Sequence, residues 1–157
     1  MPRTTDDAGV PVELSSSECW EYVRQASVGR LAVVVDGRPD IFPINFAVDH
    51  GTVVFRSAKG TKLAAALADA SVAFEVDGYD DGLGFAWSVV LKGTAAQFAS
   101  IEDILDSEAL ELFPWQSGEK NHFVRVTPVE TSGRRFRIND AARRHVLSAR
   151  RRQAFTE

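Results

Sequence analysis

Three runs of apolar, β-branched residues follow one another between residues 28 and 58, and only short turns separate them. The runs are VGRLAVVV (28–35), IFPINFAV (41–48) and TVVFRSA (52–58), and the segments between them are DGRPD and DHG. Asp-Gly and Asp-His-Gly between β-branched runs are typical of β-hairpins. Parallel strands need a much longer crossover, so these turns predict a three-stranded antiparallel meander and exclude parallel βαβ winding.

The middle run of this predicted meander contains Pro43. Proline has no main-chain N–H and cannot donate to a strand ladder. The strand that carries Pro43 is therefore expected at an open sheet edge or at a bulge. Main-chain groups of its neighbours are then free to bind something other than a strand.

A helix is predicted before the meander, over LSSSECWEYVRQA (14–26). Ser15 to Ser17 offer an N-cap, and Glu18 follows Ser15 at the spacing of a capping box. Apolar side chains recur at helical spacing and are expected to face a core: Cys19, Tyr22, Val23 and Ala26.

Strand patterns dominate the remainder of the chain. They cover 71–79, 85–99 and 121–138, and the last of these is interpreted as two strands. Short helices are predicted over 61–69 and 100–113, and an acidic loop over DGYDDGLG (77–84). Six or seven antiparallel strands with small helices favour a mainly β barrel, because closure removes exposed edges.

Composition limits the class of protein. The 157 residues suit one domain, and no apolar run approaches the ~20 residues that span a bilayer. A single cysteine, the absence of an apolar leader and ordinary hydrophobicity indicate a cytoplasmic protein. Nothing near the three histidines has the spacing of metal ligands, so no metal site is predicted.

Charge is spread unevenly along the chain, whose net charge is −4. Residues 134–157 hold eight arginines against two acidic residues, a net charge of +6. We divide the chain into a disordered N-terminus (1–12), one domain (13–138) and a basic tail (139–157). Aromatic residues do not interleave with RRHVLSARRR, so a solvated terminus is favoured over a nucleic-acid site.

A cluster of polar and basic residues stands where the third run gives way to the predicted helix. It consists of Arg56, Ser57, Lys59, Gly60, Thr61 and Lys62. Phosphate binding needs cations, donors and preferably a helix N-terminus, and all three meet here. The pattern is not a Walker loop, and a hairpin end with solvated basic residues is the alternative interpretation.

Three stretches, GRLAVVVDGRPDIFPINF, FRSAKGTKL and WSVVLKGTA, resemble the FMN-binding split-barrel proteins related to pyridoxamine 5′-phosphate oxidase. The resemblance runs from about residue 14 to residue 138 and is nearest to the actinobacterial and nitroimidazole-resistance-like branch. It implies a six-stranded antiparallel Greek-key split barrel. It also implies a homodimer that holds FMN between its subunits.

The resemblance further implies which residues contact the cofactor. The flavin ring would lie along the main chain of Pro43, Ile44, Asn45 and Phe46. The 5′-phosphate would meet Arg56, Ser57, Thr61 and Lys62. The side chains expected from a neighbouring strand or from the second subunit are Trp87, Ser88 and Trp115, although both tryptophans could equally be interface residues.

Departures from the family restrict the activity. The C-terminal Arg/His signature of pyridoxamine phosphate oxidase is absent, which argues against vitamin B6 oxidation. Arg56 stands where nitroimidazole-resistance proteins place a reactive histidine. The leading expectation is an FMN-dependent oxidoreductase acting on a small molecule, without an assigned catalytic side chain. The alternatives are a deazaflavin-dependent reductase, with Arg38 and Lys59 lining a basic groove, and a non-catalytic flavin or haem binder or regulator.

Overall fold

The computed structural model describes residues 9–57, 71–80, 82–98, 122–139 and 144. One helix, α1 (Ser16–Gln25), is found among them. The strands are β1 (Val12–Glu13), β2 (Val28–Val35), β3 (Arg38–Asn45), β4 (Ala47–Asp49), β5 (Thr52–Ser57), β6 (Ser71–Asp80), β7 (Phe85–Phe98) and β8 (His122–Arg137).

The strands form one antiparallel sheet with the order β3-β2-β6-β7-β8-β5-β4, and β1 pairs with β8. Because β3 and β4 follow each other in the chain yet end opposite sides of this order, the sheet curls round on itself. If β3 and β4 are taken as halves of one strand, six strands and the short β1 make up the sheet. The predicted fold class, a mainly β antiparallel split barrel, is confirmed.

The predicted meander is only partly right. The β2–β3 hairpin forms, but β5 pairs with β8 and β4, not with β3. The predicted middle strand breaks at Phe46, whose side chain is buried and whose N–H donates to the Ser27 carbonyl oxygen at 3.4 Å. Burying this ring turns the chain away from β2 and sends β4 to the far end of the sheet.

Both hairpin turns use backbone conformations that the sequence favours. Asp36 and Gly37 join β2 to β3, and His50 and Gly51 join β4 to β5. All four have positive φ angles of 51°, 71°, 44° and 72°. Two consecutive positive φ angles match the right-handed twist of a tight hairpin and favour glycine at the second position. Both turns thus form as predicted, and each joins two strands that pair with each other.

Strand β8 is longer than expected. Its 16 residues form one continuous strand where two were predicted. A register shift at Lys92 and Gly93 places Glu130 and Pro128 opposite them and leaves Val129 without a partner. This β-bulge accommodates Pro128 without ending the strand, since the extra residue is excluded from the ladder. Strand β6 likewise continues through Asp80, so the predicted acidic loop begins later than expected.

Helix α1 closes one end of the barrel. Its N-cap is Ser15, whose side chain accepts from the Glu18 N–H while the Glu18 carboxylate accepts from the Ser15 N–H, as predicted. Cys19 and Val23 are fully buried against the sheet. Burial raises the pKa of the Cys19 thiol, and the neighbouring Glu18 charge adds to this rise. The thiol is therefore a protonated core group.

The core draws on β2, β5, β6, β7 and β8 and on Phe46 between β3 and β4. Its largest fully buried side chains include Leu31, Phe46, Phe55, Phe74, Val89, Leu91 and Val124.

Several expectations lie outside the described residues. They are the two helices predicted over 61–69 and 100–113, most of the N-terminal segment and nearly all of the basic tail. Val12, the last residue of the N-terminal segment, pairs with Arg135 in β8. None of the helical residues described here forms a helix long and apolar enough to cross a bilayer.

Candidate functional site

The predicted phosphate-binding cluster begins at the end of β5. Arg56 is half-buried there, and its guanidinium carbon lies 5.9 Å from the centre of the Phe123 ring. Arg56 and Phe123 are directly opposite each other in the β5–β8 ladder, and Ser57 is opposite His122. Packing on an aromatic face restrains the arginine side chain.

The end of β3 lies beside this arginine. Ala47, Val48 and Asp49 of β4 pair with Val54, Val53 and Thr52 of β5. Continuing this antiparallel register by two residues brings Asn45 next to Arg56. Strands β3 and β5 also approach each other directly. We call this junction, formed by residues 43–46 and 56–57, the β3–β5 corner.

Main-chain groups are available at the corner because β3 is an edge strand. Among the described strands, β3 ends the sheet order and pairs only with β2, where Pro43 is opposite Arg30. The predicted edge position of Pro43 is confirmed. The buried Phe46 ring packs edge-on against Phe74, with ring centres 4.9 Å apart and planes at 75°. This contact anchors the corner to the core.

A buried ion pair joins β4 and β8, the two strands that pair with the strand of Arg56. The side chain of Asp49 is 3% exposed and accepts hydrogen bonds from Arg125 at 2.7 Å and from His50 Nδ1 at 2.8 Å. Arg125 also donates to the Thr52 hydroxyl at 2.8 Å. Because Arg125 is opposite Val54 in the ladder, it lies on the same sheet face as Arg56, one row away.

The Asp49 carboxylate is ionised in this network. Burial alone would raise the pKa of Asp49, but hydrogen bonds from Arg125 and His50 and the Arg125 charge outweigh burial and lower the pKa below 3.8. The Arg125 charge and the two hydrogen bonds offset the free-energy cost of burying the Asp49 carboxylate. The network therefore holds the β4–β5 turn against β8 and fixes the base of the β3–β5 corner.

The strand ladders place Ser88 three strands away from this corner. Asn45 is opposite Val28 on β2, and continuing the β2–β6 register by two residues brings Val28 opposite Asp77, which pairs with Ser88 on β7. Three inter-strand spacings amount to roughly 14 Å. A single chain thus brings Asn45, Phe46 and Arg56 together, while β2 and β6 lie between this corner and Ser88.

Trp87 has a packing role in the chain. Its ring stacks on Tyr22 of α1, with centres 4.5 Å apart and planes at 28°. Gly78 is opposite it in the ladder, and a Cβ there would come within 2.5 Å of the indole. Glycine at position 78 therefore gives the indole its space.

Three predicted site residues, Thr61, Lys62 and Trp115, lie outside the described residues, as do Lys59 and Gly60. Sequence reasoning in turn missed Asp49 and Arg125. A signal for Arg125 was present in HFVRVT, where a charged residue interrupts an apolar run. Such a residue points to a buried partner, but the partner 76 positions away is visible only in the fold.

Comparisons with known proteins agree on the family. The family model described as pyridoxamine 5′-phosphate oxidase matches residues 15–135. The structure of the FAD-binding protein from Mycobacterium smegmatis superimposes with a TM-score of 0.69 at 39% identity, covering 81% of this chain and 99% of that one. A FAD-binding protein from Mesorhizobium loti gives a TM-score of 0.67 at 26% identity, covering 80% and 98%.

An uncharacterised protein of Mycobacterium tuberculosis is 42% identical over 91 residues, which cover 58% of this chain and 81% of the relative. The mycobacterial relatives agree with the predicted actinobacterial branch of the family.

Proposed function

Because the chain belongs to the pyridoxamine 5′-phosphate oxidase family, we propose that it binds a flavin nucleotide at the β3–β5 corner. The observation that carries this proposal is the half-buried Arg56 beside the edge strand that contains Pro43. A cation with restrained geometry suits a phosphate, and unpaired main-chain groups suit the polar edge of a flavin ring. Relatives described as FAD-binding proteins support the cofactor class.

The residues at the corner fit the part that FMN and FAD share. Arg56 would donate to the phosphate next to the ribityl chain, with Ser57, Thr61 and Lys62 expected beside it from the sequence. Main-chain groups of Ile44 and Asn45 would face the ring. The choice between FMN, our expectation from the sequence, and FAD depends on space for the adenylate half.

We further propose that the protein is a flavin-dependent oxidoreductase acting on a small molecule. A bound flavin supplies hydride and electron transfer, so few catalytic side chains are needed. The protein itself would bind the flavin, orient the substrate against it and exclude water. The buried ring of Phe46 under the corner supports the last of these tasks.

A homodimer is part of the proposal. By the family resemblance, Trp87 and Ser88 would approach the flavin from the neighbouring strand or from the second copy. The convex face of β2 and β3 exposes Val34 and Ile41, which are 60% and 62% accessible. Exposed aliphatic side chains on neighbouring strands support an interface between copies.

The flavin proposal is tested by cofactor analysis and by Arg56→Ala. The purified protein should release a flavin identified by its absorbance and mass. Loss of one charge-assisted contact, about 1.5–3 kcal/mol, should weaken FMN and FAD binding by roughly 10- to 100-fold in calorimetric titrations. Arg24→Ala removes an exposed arginine from α1 and should leave both affinities unchanged.

If Arg56→Ala binds flavin with wild-type affinity, the phosphate does not contact Arg56, and the proposed site is contradicted. Bound flavin that nicotinamide nucleotides do not reduce, and that no acceptor reoxidises, would contradict the enzymatic part while leaving flavin binding intact.

A further inference from the structure

The free edge of β3 lacks most of the N–H donors that an edge strand normally offers, and the β2–β3 register shows why. The Phe46 N–H donates to the carbonyl oxygen of Ser27, the residue directly opposite when the register is continued by one. Antiparallel strands exchange such hydrogen bonds at every second pair only. The main-chain groups that point away from β2 are therefore those of Pro39, Ile41, Pro43 and Asn45.

Three of these four residues have no free donor. Pro39 and Pro43 have no N–H at all, and the Ile41 N–H donates to Asp40 Oδ1 at 2.9 Å. Asn45, at the β3–β5 corner, keeps its N–H without a partner in the described part of the chain. From Pro39 to Pro43 the edge thus presents carbonyl oxygens alone, spaced about 7 Å apart along the strand.

This edge is open to solvent but closed to another strand. Pro39, Ile41 and Pro43 are all exposed, Ile41 by 62%. A pairing strand must receive hydrogen bonds as well as donate them, and an edge without N–H groups cannot donate any. The edge can instead accept hydrogen bonds from a molecule that brings its own N–H groups.

The charges around this edge favour a cation. One oxygen of the exposed Asp40 carboxylate holds the Ile41 N–H, and the other has no partner among the residues that the structure describes. Arg30, on the neighbouring strand, is bonded to two carboxylates of β6, at 2.9 and 3.1 Å. Four carboxylates and two guanidinium groups lie on the hairpin and on these β6 positions: Asp36, Asp40, Glu75, Asp77, Arg30 and Arg38. The surplus is negative, whereas the corner at the other end of the edge carries Arg56.

We propose that the β3 edge between Pro39 and Pro43 binds the cationic, N–H-bearing end of the small molecule on which the flavin acts, a primary ammonium or an amidinium. The inference rests on the proposed flavin site, because a ring along residues 43–46 adjoins this edge. The carbonyl oxygens of Ile41 and Pro43 would accept from the N–H groups, and Asp40 would supply the opposite charge. The two ends of β3 then select opposite charges, a phosphate at Arg56 and a cation at Asp40.

The test uses three probes that share a benzene ring: benzamidine, phenyltrimethylammonium and benzoate. They carry a cation with N–H groups, a cation without them and an anion, and each is titrated into the full-length protein saturated with FMN. Benzamidine should shift the amide NMR signals of Ile41 and Phe42 first and should bind at least tenfold more tightly than phenyltrimethylammonium. Equal affinity for the two cations, or tighter binding of benzoate, would overturn the inference.

Two variants test the charge and the missing donor separately. Asp40→Asn removes the charge while its amide oxygen can still accept from the Ile41 N–H, and benzamidine affinity should fall severalfold. Pro39→Ala restores an N–H that points at the ligand and should also weaken binding, without any change of charge. The control is Glu21→Gln, which removes an exposed carboxylate from α1 and should leave the affinity for benzamidine unchanged.

Calorimetric titration of FMN into the same variants distinguishes a failure of this inference from a failure of the flavin proposal. Asp40→Asn and Pro39→Ala should bind FMN with wild-type affinity, since neither substitution lies within residues 43–46 or 56–57. Equal benzamidine binding in the wild type and both variants would overturn the cation site even when FMN binds normally. Absence of flavin binding in the wild type would instead contradict the proposed function.

Discussion

At the scale of single residues, Asp49 is the side chain on which the corner most depends. It is the buried charged group among the described residues, and it joins the β4–β5 turn to Arg125 on β8. His50, which donates the second hydrogen bond to the Asp49 carboxylate, has a positive φ of 44°. A strained turn residue, a buried carboxylate and an arginine thus stabilise one another beside Arg56.

Asp49→Asn is expected to destabilise the protein by roughly 3 kcal/mol at neutral pH, since it leaves Arg125 partly buried without its counter-charge. The folded-state pKa of Asp49 lies below 3.8. Its contribution is therefore complete above that value and is lost as the pH falls through the folded pKa. Urea unfolding of wild type and variant should differ most near neutral pH and converge in acid.

The control for this prediction is Asp36→Asn in the β2–β3 turn, an exposed aspartate that also has a positive φ. Its unfolding free energy should follow that of the wild type at every pH. A difference between wild type and Asp49→Asn that stays constant down to pH 3 would show that the ionised carboxylate contributes nothing.

At the scale of elements, the β-bulge allows β7 and β8 to pair as one long two-stranded ribbon on both sides of the register shift. Gly93 lies at the register shift, and a Cβ there would overlap the main-chain oxygen of Thr127. On the other strand, Pro128 and the 86% exposed Val129 occupy the bulge. The bulge bends the ribbon between the end of β8 that pairs with β5 and the end that pairs with β1.

Gly93→Ala should destabilise the fold by about 1–3 kcal/mol or more, because the added methyl meets main chain that cannot rotate away. Thermal melts would measure this loss. Gly82→Ala, whose Cβ would meet only the Asp80 side chain at 3.3 Å, should change the melting temperature little. Equal melting temperatures for the two variants would show that the ribbon adjusts freely at the bulge.

At the scale of the whole molecule, the described chain is one curled sheet closed at one end by α1. The last main-chain contact of the sheet is the Ile138 N–H donating to the Gly84 carbonyl oxygen at 2.8 Å. Every buried hydrophobic residue of the described core precedes this point. The end of the domain close to residue 138 remains a prediction.

Removal of residues 140–157 should leave a cooperative thermal melt and an unchanged oligomeric mass. The reason is that every strand and every buried residue in the described part of the chain precedes the deletion. Differential scanning calorimetry and analytical ultracentrifugation measure the two properties. Loss of the cooperative transition would assign the basic tail to the structural core, and loss of the dimer would assign it to the interface.

The sequence determined those features that depend on neighbouring residues. The α1 capping box and the paired positive φ angles at Asp36–Gly37 and His50–Gly51 follow from local hydrogen bonds and backbone sterics. The edge position of Pro43 follows from its missing N–H. Recognition of the family from three short stretches added the split-barrel topology, which local patterns do not contain.

Tertiary structure alone decided which strands pair and which distant side chains meet. The pairing of β5 with β8, the unbroken run of β8 past Pro128 and the contact between Asp49 and Arg125 join residues far apart in the chain. Many strand pairings satisfy the same alternation of apolar and polar residues. The pairing that forms is selected because it buries the Phe46 ring and also places Arg125 beside the Asp49 carboxylate. Both contacts join distant parts of the chain, so no single segment of the sequence predicts them.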